Sequence, residues 1–174
     1  MPTKQPDDLV FQMLTDDGTP YQNGINEYNA NGNYASAADE FYIQHASRDI
    51  TLERMIVKIR DTSGMAAGEY GNLGAALTNG VQIRVVDDQD AVQLRLDGGV
   101  PVTSNADWGR LCYDTDLKTW GAGDEFLLVR YTFSRCGFPI YLPPGWRFGV
   151  LLNDDLTGLV SHFFMVEGTY GIPT

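Results

Sequence analysis

Positive charge is scarce in this 174-residue chain: 12 Lys and Arg stand against 23 Asp and Glu, a net charge of −11. A nucleic acid would be repelled unless a basic stripe compensated, and the cations are scattered along the sequence, so no nucleic-acid partner is expected. Long apolar runs are also lacking. None approaches the roughly 18 residues that a membrane-spanning helix needs. The opening residues Met1-Pro2-Thr3-Lys4-Gln5-Pro6-Asp7-Asp8 carry no apolar stretch of the signal-peptide kind, and synthesis in the cytoplasm is expected. Cysteine is limited to Cys112 and Cys136, too far apart for a local redox or metal motif and too few for a disulfide framework. Two free thiols in or near the core are the expectation. Histidine is limited to His45 and His162, with no H-x-H or H-E-x-x-H spacing.

What the chain does have is apolar and aromatic content, 43% and 11%, too much for a disordered polypeptide and enough for one buried core. Its periodicity is that of strands. Leu9–Thr15 is a plausible first strand, closed by Asp16-Asp17-Gly18. Glu40–His45 is rich in strand formers, and in Thr51–Arg60 the residues Met55, Val57 and Ile59 alternate with Ile56, Lys58 and Arg60. Gly80–Asp87 and Val92–Leu96 repeat the alternation, and Phe126–Phe133 carries bulky residues on both faces, which predicts a central strand buried on two sides. Trp146–Leu152 and His162–Val166 complete the set. Ala66–Leu77 is the best helix candidate, but Gly68, Gly71 and Gly74 weigh against it at roughly 1 kcal/mol each relative to Ala.

Strands at short intervals separated by Gly, Pro, Asn and Asp predict an all-β fold: a single β-sandwich, a jelly roll of about eight antiparallel strands. Between residues 16 and 38 apolar residues are too sparse to specify an element, and Asn and Gly dominate. We therefore divide the chain into an extended N-terminal arm or loop segment, 1–39, and a sandwich domain, 40–174.

No constellation of catalytic residues stands out. None of the serines lies in G-x-S-x-G, and Ser161 and His162, adjacent on a strand, point to opposite faces. Gly121-Ala122-Gly123-Asp124 has neither the spacing nor the following helix of a dinucleotide loop. His45 and His162 could share a metal only if their strands were neighbours. Carboxylates pair at turns, in Asp7-Asp8, Asp16-Asp17, Asp87-Asp88 with Asp90, Asp114-Thr115-Asp116 and Asp154-Asp155. Such residues favour turns by bonding their own backbone, and a calcium ion at one of these Asp-rich loops is the rival reading. Glu40, Glu53, Glu69, Glu125 and Glu167 offer no reason to choose a glycosidase pair. Trp108, Trp120 and Trp146 either plug the ends of the sandwich or form a platform for sugar rings. No catalytic, cofactor-binding or metal-ligating residue is assigned, and no enzymatic activity is expected.

Three stretches carry a likeness: Glu40–Gln44 with the following Leu52–Asp61, then Ala76-Leu77-Thr78-Asn79-Gly80-Val81 preceded by Tyr70-Gly71, and Leu152-Asn153-Asp154-Asp155-Leu156-Thr157-Gly158-Leu159. In pattern and order the chain resembles, over residues 40–168, small virion structural proteins of tailed bacteriophages, all-β and often jelly rolls. The resemblance implies a surface component of the particle without an active site. The expectation is a capsid decoration (cement) protein, bound to the outer surface of the virion head and bridging subunits of the major capsid protein lattice as a homo-oligomer, with a trimer favoured by analogy. The Asn-rich stretch 18–36 would order on its neighbours. The alternative is a tail-associated receptor- or carbohydrate-binding module, for which an exposed Trp108 or Trp120 is required.

Overall fold

Alternation of apolar and polar residues sets the layers. In a computed structural model, which describes residues 9–19, 28–62, 64–110, 113–119 and 125–171, β1 (Leu9–Met13), β2 (Asp39–Gln44), β3 (Ile50–Asp61), β4 (Gln82–Val86) and β5 (Val92–Arg95) lead the chain. They are followed by β6 (Tyr113–Thr119), β7 (Glu125–Thr132), β8 (Ile140–Leu142), β9 (Arg147–Leu152) and β10 (Ser161–Tyr170). All pairings are antiparallel. Along β3, Leu52, Met55, Val57 and Ile59 are buried while Arg54, Ile56, Lys58 and Arg60 take the other face, as the sequence period requires.

The larger sheet has the order β1-β10-β3-β7-β6, with β8 pairing the first residues of β3, and the smaller has the order β2-β9-β4-β5. Setting aside β6 and β8, eight strands remain. Counted along the chain, their order is first, eighth, third, sixth in one sheet and second, seventh, fourth, fifth in the other. That winding is a jelly roll. Phe41, Ile43, Ile83, Val85, Phe148 and Val150 of the smaller sheet pack on Met55, Val57, Ile59, Val129, Phe164 and Val166 of the larger to make the core. An isolated bridge between Thr15 and Tyr42 ties the chain just past β1 to β2 and closes one side of the sandwich.

Several expectations are met: β1, β4, β5 and β9 fall within the stretches read as strands, and β2, β3 and β7 overlap theirs, running past them by one residue at one end or both. Others need correction. β6 and β8 were not anticipated, because Tyr113–Thr119 carries two aspartates and Ile140–Leu142 is only three residues long. β10 runs on through Gly168 by means of a bulge between Glu167 and Gly168. Ala66–Leu77 is a loop, whose amides at Ala66 and Gly74 donate to the Glu69 carboxylate while Asn105 bridges Gly71 and the Ala66 carbonyl.

The described parts of segment 1–39 pack on the sandwich instead of hanging free of it. β1 is a strand of the larger sheet, and Leu14 and Ala30 belong to the core. Residues 28–34 lie along 155–162. Asn29 Oδ1 accepts the His162 amide at 2.8 Å, Asn31 Nδ2 donates to the Leu159 carbonyl at 2.9 Å, and Asn33 Nδ2 donates to Asp155 at 3.1 Å. The asparagines that read as looseness are the hydrogen-bonding groups of a docked strand-like segment. Residues 20–27 of that segment lie outside the described residues.

Gly168 is required by close approach: a Cβ there would land on the Thr51 carbonyl oxygen and come within 2.9 Å of Leu52 Cα. Gly168→Ala is expected to lower stability by about 1–3 kcal/mol through forced displacement of the β3–β10 pair, read as a drop in the urea unfolding midpoint at unchanged slope.

Candidate functional site

Most of the paired carboxylates are engaged within the protein. Asp154, buried at the end of β9, accepts the amides of Thr78 at 2.8 Å, Asn79 at 3.1 Å and Gly80 at 2.8 Å. Asn79 Nδ2 returns a bond to the Asn153 carbonyl at 2.6 Å. The stretches 76–81 and 152–159 are thus the two halves of one clamp. Its neighbour Asp155 is held below the usual carboxylate range by hydrogen bonds from the Thr157 hydroxyl and amide. Asp87 is likewise lowered, first by the Ala91 amide, and Asp17 by the Thr19 amide and hydroxyl. Asp90 pairs with Arg147 at 2.8 Å, and Asp114 and Asp116 face Arg130 at 3.6 and 3.4 Å. Among the described residues no group of three or more His, Cys, Asp or Glu is arranged to hold a metal ion. Asp7 and Asp8 lie outside them.

The two histidines are far apart. His162 is fully buried, with Nε2 2.9 Å from the Tyr70 hydroxyl and Nδ1 3.2 Å from the Ala30 carbonyl. A carbonyl can only accept, so Nδ1 carries the proton and Nε2 takes the Tyr70 O–H bond. Burial drives the His162 pKa down to about 4 and raises that of Tyr70. His45, by contrast, accepts the Ser47 and Arg48 amides through Nδ1 and packs its ring on Tyr170, 5.4 Å between centroids. Tyr170 lies eight residues beyond His162 on β10, about 27 Å at strand rise, so the two imidazoles do not share an ion.

The sugar-platform expectation fails at Trp108. That indole is fully buried against Tyr70, because the short 3₁₀ turn Ala106–Gly109 folds it under the sandwich. Trp146 is partly buried against the core, and Trp120 lies outside the described residues, as do Gly121–Asp124. The free-thiol expectation also fails: Cys136 is disulfide-bonded. Sequence separation misled here, since the β6–β7 hairpin brings the chain after Thr132 back beside the start of β6. Cys112, the chain's other cysteine, lies outside the described residues.

On the outer face of the smaller sheet, Glu40 is held between Arg84 and Arg147, 2.7 Å from each Nε. Gly149 on β9 has no side chain, and the Glu40 carboxylate occupies the space over it. This triad ties β2, β9 and β4 together.

The outer face of the larger sheet is different. Antiparallel sheets with a solvated face alternate apolar and polar residues, yet register here aligns Met13, Met165 and Ile56 in one row and Phe163, Lys58 and Leu128 in the next. Leu9 and Phe11, at the β1 edge, are 61% and 69% exposed, and Tyr141 on β8 is 57% exposed. Lys58 lies over the rings of Phe126 and Phe163, 5.0 Å from each centroid, and Arg60 lies 5.6 Å from that of Phe126. Arg54 meets Glu167 at 3.4 Å. The β7 pattern that predicted burial on both sides is therefore half-met: Leu127, Val129 and Tyr131 are buried inside, while Phe126 and Leu128 are only half-buried outside. This aromatic and cationic surface is the candidate site. Sequence reasoning read its strands but did not join Leu9, Phe11, Ile56, Phe126, Leu128, Phe163 and Met165 into one face, because strand order is what brings them together.

No family model matches the chain, and no curated protein or solved structure does either.

Two predictions follow from the buried groups. Asp154→Ala strands the amides of Thr78, Asn79 and Gly80 and should cost about 2–4 kcal/mol, read by urea unfolding. For His162 the folded pKa lies below that of the unfolded chain, so only the unfolded state gains a proton between about pH 6.5 and 4. Its contribution is therefore fully present above pH 6.5 and lost as pH falls, by about 3 kcal/mol at pH 4. His162→Gln should flatten the stability profile across that window.

Proposed function

We propose that this chain is a non-enzymatic structural protein of a tailed-phage virion, a decoration protein that docks on the outer surface of the capsid and stabilises the shell. The observation that carries this reading is the outer face of the larger sheet, where large apolar side chains and cations stand together on a rigid jelly roll. Exposed apolar groups of this size are costly to leave in water and are commonly features of a surface that docks on a partner. The phage-protein likeness of residues 40–168 supports the same reading, since the 76–81 and 152–159 stretches make a clamp that stiffens the body. A disulfide at Cys136 suits a protein that works outside a reducing cytoplasm, as the exterior of a released particle does. The major capsid protein lattice is the proposed partner and the virion surface the proposed location.

The test is co-sedimentation of the purified chain with undecorated capsids, with tail preparations run alongside. Saturable binding to capsids, and a rise in the temperature at which they release DNA, are expected. Binding confined to tails, or to neither preparation, overturns the decoration role.

A further inference from the structure

The sandwich is closed on one side, where the Thr15–Tyr42 bridge ties the chain past β1 to β2, and open on the other, where β5 and β6 end the two sheets. A sheet edge presents a row of unpaired N–H and C=O groups, and proteins blunt it by keeping the strand short, by bulging it or by placing proline on it. β5 is four residues long, and its pairing with β4 shifts register between Val85 and Val86. β6 has none of these devices. Its seven residues, Tyr113–Thr119, run beside β7 without a register shift and include no proline, and among the described residues no strand pairs with its other side. Beneath that edge the larger sheet overhangs. Leu117 shares the inner face with buried Leu127, yet it is 51% exposed above a cleft of about 300 Å³ bordered by Met65, Ala67 and Ala106.

We infer that β6 pairs antiparallel with β6 of a second copy across a two-fold axis at Leu117, joining the two larger sheets edge to edge. A continuous sheet keeps inner face with inner face, so the axis falls on a residue and never between two. Charge then selects the residue, because like charges directly opposite one another are destabilising. An axis at Asp114 or Asp116 sets that carboxylate against its own copy, one at Thr115 sets Asp114 against Asp116, and one at position 118 sets lysine against lysine. An axis at Leu117 opposes no like charges. It places Asp116 opposite position 118, a lysine, in both directions, and Thr115 opposite position 119, a threonine. Asp116 already faces Arg130 at 3.4 Å, and a carboxylate accepts further donors. The two Leu117 side chains meet beside the two clefts and withdraw apolar surface that one copy leaves in water. As in other recognition by strand addition, the backbone ladder supplies affinity and the opposed side chains fix the register. The contact is isologous, so it closes at two copies.

This pairing does not rest on the decoration reading: it uses the edge of β6 and leaves the face given to the capsid open, with both copies' faces on one side of the joined sheet. Light scattering coupled to size-exclusion chromatography on the full chain tests it. The wild type should have the mass of two copies. Leu117→Lys, which opposes two lysines at the axis, and Lys118→Glu, which opposes Asp116 with a second acid, should each shift it to the monomer mass. Circular dichroism and melting check that both variants remain folded. Leu94→Ser, on the β5 edge, should leave the mass unchanged. The register has its own readout, which also serves where a charge variant does not fold. Oxidation should link Leu117→Cys into a disulfide dimer on a non-reducing gel, while Thr115→Cys, about 13 Å from its counterpart at strand rise, should stay unlinked. A wild type of any mass other than two copies, a dimer that survives both folded β6 variants, one that Leu94→Ser dissolves, or a cross-link at Thr115→Cys in place of Leu117→Cys overturns the inference. A monomer that still co-sediments with capsids defeats this inference alone, and a β6-paired dimer that ignores capsids defeats only the decoration role.

Discussion

The architecture depends on one carboxylate placed where three backbone amides converge. The described residues of the connection between β3 and β4, about twenty positions long, form no strand or helix of their own, and a segment like that must find partners for its backbone groups or remain in water. Asp154 settles its last turn by taking the amides of Thr78, Asn79 and Gly80, which delivers β4 into register beside β9. Glu69, Asp61 and Asn105 do the same work earlier in the loop. With β4 fixed, β5 follows by a tight turn organised on Asp87, and the smaller sheet is complete. Acidic residues that look superfluous by composition are thus distributed as internal anchors for irregular chain.

Strands were legible in the sequence wherever one face is oily and the other is not. β3 and β4 are the clearest cases: Met55, Val57 and Ile59, and Val81, Ile83 and Val85, are all buried as their period indicates. Legibility ends where local pattern stops determining the outcome. Tyr113–Thr119 becomes a strand because β7 offers it an edge, despite Asp114 and Asp116. Segment 28–34 has hardly any apolar signal, and its place is set by amide side chains reaching residues more than a hundred positions away. Trp108 gave no sign of burial because the ring it packs on, Tyr70, which in turn meets His162 of β10, does not adjoin it in sequence. The candidate face was hidden for the same reason. Each strand showed its outward residues, but only the order β1-β10-β3-β7 reveals that they are contiguous.

Polar groups in the interior divide the molecule into two economies of charge. The smaller sheet carries its ionic contacts as a closed set, with Glu40 taken by Arg84 and Arg147 and Asp97 by Arg95. Such multiply bonded carboxylates rigidify a surface and leave little for a partner to gain. The larger sheet pairs Arg54 with Glu167 and Arg130 with Asp114 and Asp116, and lays Lys58 and Arg60 over aromatic rings that hold those side chains in place.

The pairing of β1 with β10 has a kinetic consequence. Leu9 aligns with Thr169, so the first and last strands of the ten lie side by side, and β10 separates β1 from β3. Neither β1 nor the docked 28–34 segment has a place to go until residues 161–170 have left the ribosome. Contacts this distant in sequence place the chain among slow, high-contact-order folders, at roughly milliseconds to seconds. The aromatic outer face, formed from β1, β10, β3 and β7 together, is then the last surface to come into being. That face does not exist on a nascent chain until residues 161–170 have joined β3.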